Sequence, residues 1–241
     1  LEHRRQRQMC IRDSLISIIT VVLNGEQHLE ETIKSVINQT YNNIEFIIID
    51  GGSKDKTLEI IKKYDKNIDY WISEKDNGIY HAMNKGCKLS SGDGLIFLNS
   101  GDRFVGDIFN EEIKFPCLLP CKVKEIDGKI LERTISDAKY GMPTSHQAMI
   151  FSNKKIMYDL SYKISSDYDY FIRNGIFKNV NSDVDGYVLY NNSGISRINK
   201  WQRDLETMII IYKHFGFLNT FIFLIKQTKK LIKKFLGKKW H

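Results

Sequence analysis

From Leu15 onward the hydrophobic positions change period several times within about ninety residues. Leu15 to Leu23 is a β-branched run that ends at Asn24-Gly25, which suits a strand buried on both faces. Leu29, Ile33, Val36 and Ile37 then recur at helical spacing up to Gln39. A second apolar run, Ile44 to Asp50, is stopped by Gly51-Gly52, and Ser53 offers an N-cap for a helix through Leu58, Ile61 and Tyr64. A short strand around Tyr70-Trp71-Ile72, a helix from about Gly78 to Leu89 and a strand Gly94 to Asn99 complete this half. Strand–helix alternation of this kind predicts an α/β fold, a mostly parallel Rossmann-like sheet with helices on both faces. Ligands in such sheets sit beyond the carboxyl ends of the strands, where Asn24, Asp50 and the turn Asn99 to Asp102 are expected to meet.

The second half is patterned more weakly. Lys122 to Glu132 alternates like a hairpin around Asp127-Gly128, Ala148 to Phe151 and Tyr187 to Tyr190 read as strands, and Asp167 to Asn174 reads as a helix. Near the C-terminus Phe221, Leu224, Ile225, Leu231, Ile232, Phe235 and Leu236 share one helical face. Lys226, Lys229, Lys230, Lys233 and Lys234 occupy much of the other. A basic amphipathic helix of this kind suits an anionic bilayer surface, with a helix packed on the domain as the alternative.

Charge sharpens this division. The net +7 is concentrated at the ends: residues 207–241 carry eight lysines and no acid, residues 1–13 carry +2, and −3 remains for 14–206. A mildly acidic body does not read as a nucleic-acid binder. Residues 1–13 are basic, lack an apolar stretch and read as a non-native leader rather than a signal peptide. No stretch of about 18 apolar residues stands out, so no bilayer-spanning helix is expected and the cytoplasm is the default compartment. Cys10, Cys87, Cys117 and Cys121 are too few and too irregular for a disulfide framework or a zinc site and read as reduced thiols.

Candidate chemistry begins with what is missing: the first strand is followed by neither a Gly-x-Gly-x-x-Gly nor a Walker A sequence. Asp50 is either a turn former before Gly-Gly or a contact for a base or ribose. Asp102, in Asn99-Ser100-Gly101-Asp102, belongs either to an ordinary polar turn or to a site for a divalent ion bridging two phosphates. Asp167, in Ser165-Ser166-Asp167-Tyr168-Asp169, is a helix-start acid, a general base, or both. His146, beside an apolar strand, is open between a structural role and an approach to metal or acceptor.

The run from Ser17 to Asn24, then Ile47 to Thr57, resembles the start of the family 2 glycosyltransferases. Ser73 to Gly86, Ser91-Gly92-Asp93, Phe97 to Asp102, His146-Gln147-Ala148 and Ser166 to Asp169 continue the resemblance in order over roughly residues 14–200. It resembles most the sugar transferases of bacterial lipopolysaccharide, capsule and exopolysaccharide synthesis. The resemblance implies a GT-A fold over 14–205, with a nucleotide-sugar half at 14–102 and an acceptor half at 103–205, followed by the helical region 206–241. It also implies an inverting transfer from a nucleoside-diphosphate sugar, a UDP-sugar first, to a glycan or lipid-linked acceptor. By matching position it places Thr20, Asn24, Asp50, Asp76, Ser100 and Gly101 on the donor, Mn2+ or Mg2+ on Asp102, and the base at Asp167. His146 and Asp169 fall on the acceptor or metal side.

Three departures stand out. Asp50-Gly51 replaces a frequent pair of acids, Asn-Ser-Gly-Asp replaces a two-acid metal motif, and His81 stands where an acid is frequent and receives no catalytic role. Rival readings are a sugar-phosphate nucleotidyltransferase, which would need a Gly-rich loop where Asn24-Gly25-Glu26 stands, and a degenerate sugar-binding membrane-associated protein. The expected location is cytoplasmic, peripheral at the inner face of the cell membrane.

Overall fold

A computed structural model describes residues 14–110, 113–175, 180, 183–192 and 199–237. The basic leader, residues 1–13 with Cys10, lies outside the described residues. So do the side chains of Lys230, Leu231, Lys233, Lys234, Phe235 and Leu236.

The first half follows the predicted alternation closely. Strands β1 (Ile16–Val22), β2 (Ile44–Asp50), β3 (Tyr70–Ser73) and β4 (Gly94–Phe97) interleave with helices α1 (Leu29–Ile37), α2 (Thr57–Lys63) and α3 (Ile79–Leu89). All seven residues of β1 are buried because helices cover both faces of the sheet. Ile16, Ile18 and Val22 pack with Leu29, Ile33 and Val36 of α1, while Ile19 and Val21 pack with Met83 and Cys87 of α3. That two-sided burial is why the strand carries no polar alternation.

Short strands follow: β5 (Arg103–Val105), β6 (Cys117–Leu118), β7 (Cys121–Lys124), β8 (Ile130–Glu132), β9 (Met149–Ser152) and β10 (Tyr187–Asn191). The main sheet has the order β3-β2-β1-β4-β9-β6, with β9 antiparallel to both neighbours. A second sheet, β5-β10-β7-β8, contains the expected hairpin of β7 and β8. The predicted fourth strand stops at Phe97 rather than Asn99, because the chain turns through 99–102 toward this second sheet.

Helix α4 (Ser166–Asn174) and the long α5 (Lys200–Gly237) close the structure. The stretch 200–229 is long and apolar enough to cross a bilayer by length and composition, which corrects the expectation that no such stretch exists. Gly216 breaks it, however, with a φ of 76° that interrupts the helix. Before the break, Ile210 and Ile211 are buried in a cluster with Tyr162 and Tyr168, and Glu206 is buried as well, so this part belongs to the domain core. The expected boundary at 205/206 thus falls inside a continuous helix. After the break, Phe217, Leu218, Phe221, Leu224 and Ile225 are all exposed, whereas Phe223 turns inward.

Candidate active site

The register of the parallel strands sets the site. Val22 lies opposite Asp50, and Asp50 opposite Ser73, so three strands end at one level. Asn24 adopts a φ of 51°, a left-handed conformation that asparagine tolerates. Its Oδ1 accepts the Lys54 N–H at 2.9 Å, and its own N–H donates to Ser53 Oγ at 2.7 Å. Asp50 is fully buried. Its carboxylate accepts N–H groups from Gly52 at 3.2 Å and Ser53 at 3.0 Å, and hydroxyls from Ser73 at 2.6 Å and Ser53. Both side chains therefore brace the loop 51–54. Thr20 lies opposite Ile48 within the sheet, two residues short of the strand end; it is fully buried and does not reach the cleft wall.

Asp76 stands at the same edge in a different condition. Its Oδ1 pairs with Lys85 at 2.7 Å and His81 Nδ1 at 2.9 Å, while its buried Oδ2 has no partner in the protein. His81 is thus a companion of Asp76. A Cβ placed on Gly51 would lie 3.5 Å from Asp76 Oδ2 and 3.5 Å from Leu23 Cδ1. The space beside Gly51 is accordingly edged by a carboxylate and by Leu23, which is 63% exposed despite closing an apolar strand.

The turn 99–102 sits against the loop after β1. A Cβ on Gly25 would come within 2.8 Å of Ser100 Oγ, so this approach requires glycine. Thr32 of α1 pins the turn from below, accepting the Gly101 N–H at 3.0 Å and donating to the Asp102 carbonyl at 2.8 Å. Asp102 is 4% exposed, and Asn191 at the end of β10 donates its N–H to Oδ1 at 2.8 Å. Burial raises the Asp102 carboxyl from 3.8 to about 7, against the lowering effects of the Asn191 N–H, a positive charge on His146 and a Gln147 hydrogen bond.

A cleft of about 930 Å3 opens from this turn, and its wall includes Ser100, Asp102, His146, Asp167, Arg203 and Phe223. Asp167 is the second residue of α4, where a negative side chain is favoured by the helix N-terminus. His146 Nδ1 lies 3.4 Å from Asp167 Oδ2, and its buried Nε2 has no partner in the protein. The histidine thus stands between the two acids. Asp169 is placed otherwise than on the acceptor or metal side. It is fully buried behind the helix, held by Arg173 at 2.6 Å and by His214 of α5 at 2.8 Å. Helical geometry explains this, because residues two apart point to different sides of α4.

Orphaned polar atoms mark the same region. His146 Nε2 and the buried oxygens of Asn99, Ser100, Thr144 and Gln147, all in the cleft wall, have no partner in the protein; the same holds, outside that wall, for Asp76 Oδ2 and for side-chain oxygens of Thr20, Asn110, Asn153, Tyr158 and Asn174. Buried polar groups are normally satisfied, so a concentration beside one cleft indicates a polar ligand. Among the described residues no three His, Cys, Asp or Glu side chains converge as a metal cage. Cys87, Cys117 and Cys121 are buried free thiols whose pKa values are raised by burial, consistent with inert core cysteines. Sequence reasoning missed Leu23, Thr144, Gln147 and Asn191. Gln147 beside His146 was the one with a visible signal.

Comparison with known proteins agrees with this architecture. Residues 17–107 match Glycosyl transferase family 2. An uncharacterized glycosyltransferase of Mycobacterium tuberculosis is 33% identical over 180 residues, covering 66% of this chain and 68% of the relative. Among solved structures, S. aureus TarS superposes with a TM-score of 0.59 at 16% identity over 83% of this chain, which spans only 40% of TarS. TarS 1–349 has also been crystallised in complex with UDP and with UDP-GlcNAc. The mannosyltransferase PcManGT from Pyrobaculum calidifontis, in complex with GDP-Man and Mn2+, gives 0.57 at 11% identity over 83% of this chain and 64% of its own.

Proposed function

The chain belongs to glycosyltransferase family 2, and from that premise we propose that it moves a sugar from a nucleoside-diphosphate sugar, with inversion, onto a hydroxyl of a glycan or lipid-linked acceptor in bacterial surface polysaccharide synthesis. The observation that carries the reading is the single cleft holding both Asp102 and Asp167, with His146 between them. As the acceptor oxygen forms its bond to the anomeric carbon, Asp167 takes the hydroxyl proton. The bond from that carbon to the diphosphate breaks, and the nucleoside diphosphate leaves with the electron pair. Attack opposite the leaving group inverts the centre without a covalent enzyme intermediate. A screen of nucleotide sugars, read by release of nucleoside diphosphate, tests this. Donor binding with no turnover on any acceptor would instead favour a degenerate sugar-binding protein.

A divalent ion fits the residues at the turn. A buried acid raised to about 7 is one that a cation would keep ionised, and the unpaired His146 Nε2 and Gln147 Oε1 lie beside it. Mg2+ and Mn2+ accept few protein ligands when substrate phosphates supply the rest. Bound at Asp102, the ion would neutralise charge developing on the leaving diphosphate.

The base is recognised at Gly51 by Asp76. Its unpaired Oδ2 accepts an N–H, the group that the imide of uracil presents, and Leu23 offers an apolar surface alongside. TarS crystallised with UDP supports a UDP-sugar as the first donor to try. Asp76→Asn is expected to raise the donor KM about ten- to a hundredfold with little change in kcat, the cost of one hydrogen bond to a charged group. Steady-state kinetics with varied donor checks this, and an unchanged KM moves base recognition elsewhere.

The segment after Gly216 docks on the inner face of the cell membrane. Phe217 and Phe221 stack at 6.3 Å on an exposed apolar face, and residues 207–241 contain eight lysines and no acid to compensate them. Lysines near an anionic surface contribute roughly 1 kcal/mol each, and buried aromatic area adds to this. Replacing Phe217 and Phe221 together by serine should lower binding to anionic vesicles about tenfold or more, by analogy with the loss of partly buried aromatic area. Co-sedimentation measures it. Equal binding of both proteins would assign this face to something other than lipid.

A further inference from the structure

The C-terminal helix meets the active site through one buried acid. Glu206 of α5 is 7% exposed, and its carboxylate collects three successive backbone N–H groups from the turn that begins α4. Lys163 N donates to Oε1 at 3.0 Å, and Ile164 N and Ser165 N donate to Oε2 at 2.9 Å each. Gln202, one helical turn earlier, steadies the carboxylate with a bond to Oε1 at 3.1 Å. On the other side of the same residue, the Ile164 carbonyl accepts the Tyr80 hydroxyl at 2.5 Å, and that hydroxyl also lies 3.5 Å from Asp167 Oδ1. Ser165, the residue preceding α4, is tied to α5 again by a bond from Oγ to the Arg203 carbonyl at 3.2 Å.

Consecutive N–H groups turned toward one anion form a nest, and charge-assisted bonds of this kind are stronger than neutral ones. The chain path through 163–165 is thereby fixed from both sides two residues before Asp167. We propose that Glu206 is the positioning residue of the general base: it sets where α4 starts and so where the Asp167 carboxylate stands in the cleft. Glu206 does not touch the substrate in this scheme, and it acts only through the peptide groups it holds. The inference makes α5 a working part of the catalytic domain, and it rests on Asp167 being the base.

The test uses the full chain. Glu206→Gln keeps the side-chain size but replaces one acceptor oxygen by an amide that faces a backbone N–H. Its kcat is expected to fall about ten- to a hundredfold, the scale of effect that small misplacements of a reacting group produce, with donor KM within about twofold. Ile211→Val, on the buried face of the same helix, serves as the stability control and is expected to lower Tm while kcat holds. A Glu206→Gln protein that loses Tm like the control but keeps its kcat would reduce Glu206 to scaffolding. If Glu206→Gln does not fold, Gln202→Leu takes its place, since it strips the Glu206 carboxylate of its side-chain support without touching Asp167. A kcat loss at constant donor KM then supports the proposal, and an unchanged kcat overturns it. Asp167→Asn, assayed in parallel, separates the premises: activity surviving in that variant removes the base assignment itself.

Discussion

Asp167→Asn is expected to lower kcat by about a thousandfold, within the 10²–10⁴ range for removing a general base, while the donor binds as before. The substitution is close to isosteric, and an asparagine oxygen can still accept the Tyr168 N–H that Asp167 Oδ1 now accepts at 2.9 Å. The start of α4 should therefore persist, and the loss should belong to chemistry rather than to folding. The donor contacts proposed above lie at the turn 99–102 and beside Asp76, on elements that Asp167 does not brace. Titration calorimetry with a nucleoside diphosphate gives the binding arm and single-turnover rates give the chemical arm. A variant that has lost donor affinity to the same extent as rate would mean that Asp167 holds the donor. Full activity in Asp167→Asn would move the base role to another group of the cleft wall, with His146, 3.4 Å from this aspartate, the first to test.

The nucleotide half of the fold was legible because its strands are buried on both faces and its turns are punctuated by glycine. The runs at 15–23 and 44–50 could be nothing shorter than buried strands, and the register between them then brings their ends to one edge. What each polar residue does at that edge was not legible. Asp50 ends β2 and Asp76 follows β3 by three residues, yet one has its oxygens taken by Gly52, Ser53 and Ser73, and the other keeps an oxygen without a partner. That difference depends on hydrogen bonds across loops, which no local pattern encodes. Asp169 failed for a simpler reason: two residues from Asp167 on a helix, it points away from the cleft and into the contact with α5. The second sheet was missed in part because strands of three to five residues carry too little periodicity. The role of α5 was not legible because lysines dominate its charge pattern, while Glu206, one of two acids in the helix, is the residue that reaches the turn before α4.

Asp102→Asn should remove the divalent-ion response and lower kcat/KM by about a thousandfold, since a metal contributes several kcal/mol to a leaving diphosphate. The stronger form of this prediction is its pH dependence. Burial holds the Asp102 carboxyl at about 7 in the folded chain against 3.8 ordinarily, so between those values the folded state keeps a proton that the unfolded chain has lost. Stability from this group is full below about pH 4, declines as pH rises, and is spent above about pH 7, a penalty on the order of a few kcal/mol. A cation at the carboxylate competes with that proton and relieves the penalty. Mn2+ should therefore raise Tm more at pH 8 than at pH 6, and binding at pH 6 should release a proton. Asp102→Asn carries no charge to bury, so it should raise the metal-free Tm at pH 8, and Mn2+ should then shift it little at either pH. Thermal denaturation of both proteins with and without Mn2+ reads all four arms. A wild-type Mn2+ shift that is equal at pH 6 and pH 8, and that survives in Asp102→Asn, would place the ion away from this turn. The charge on the departing diphosphate would then have to be met by other groups, with Lys163, Arg133 and Arg203 the cations already in the cleft wall.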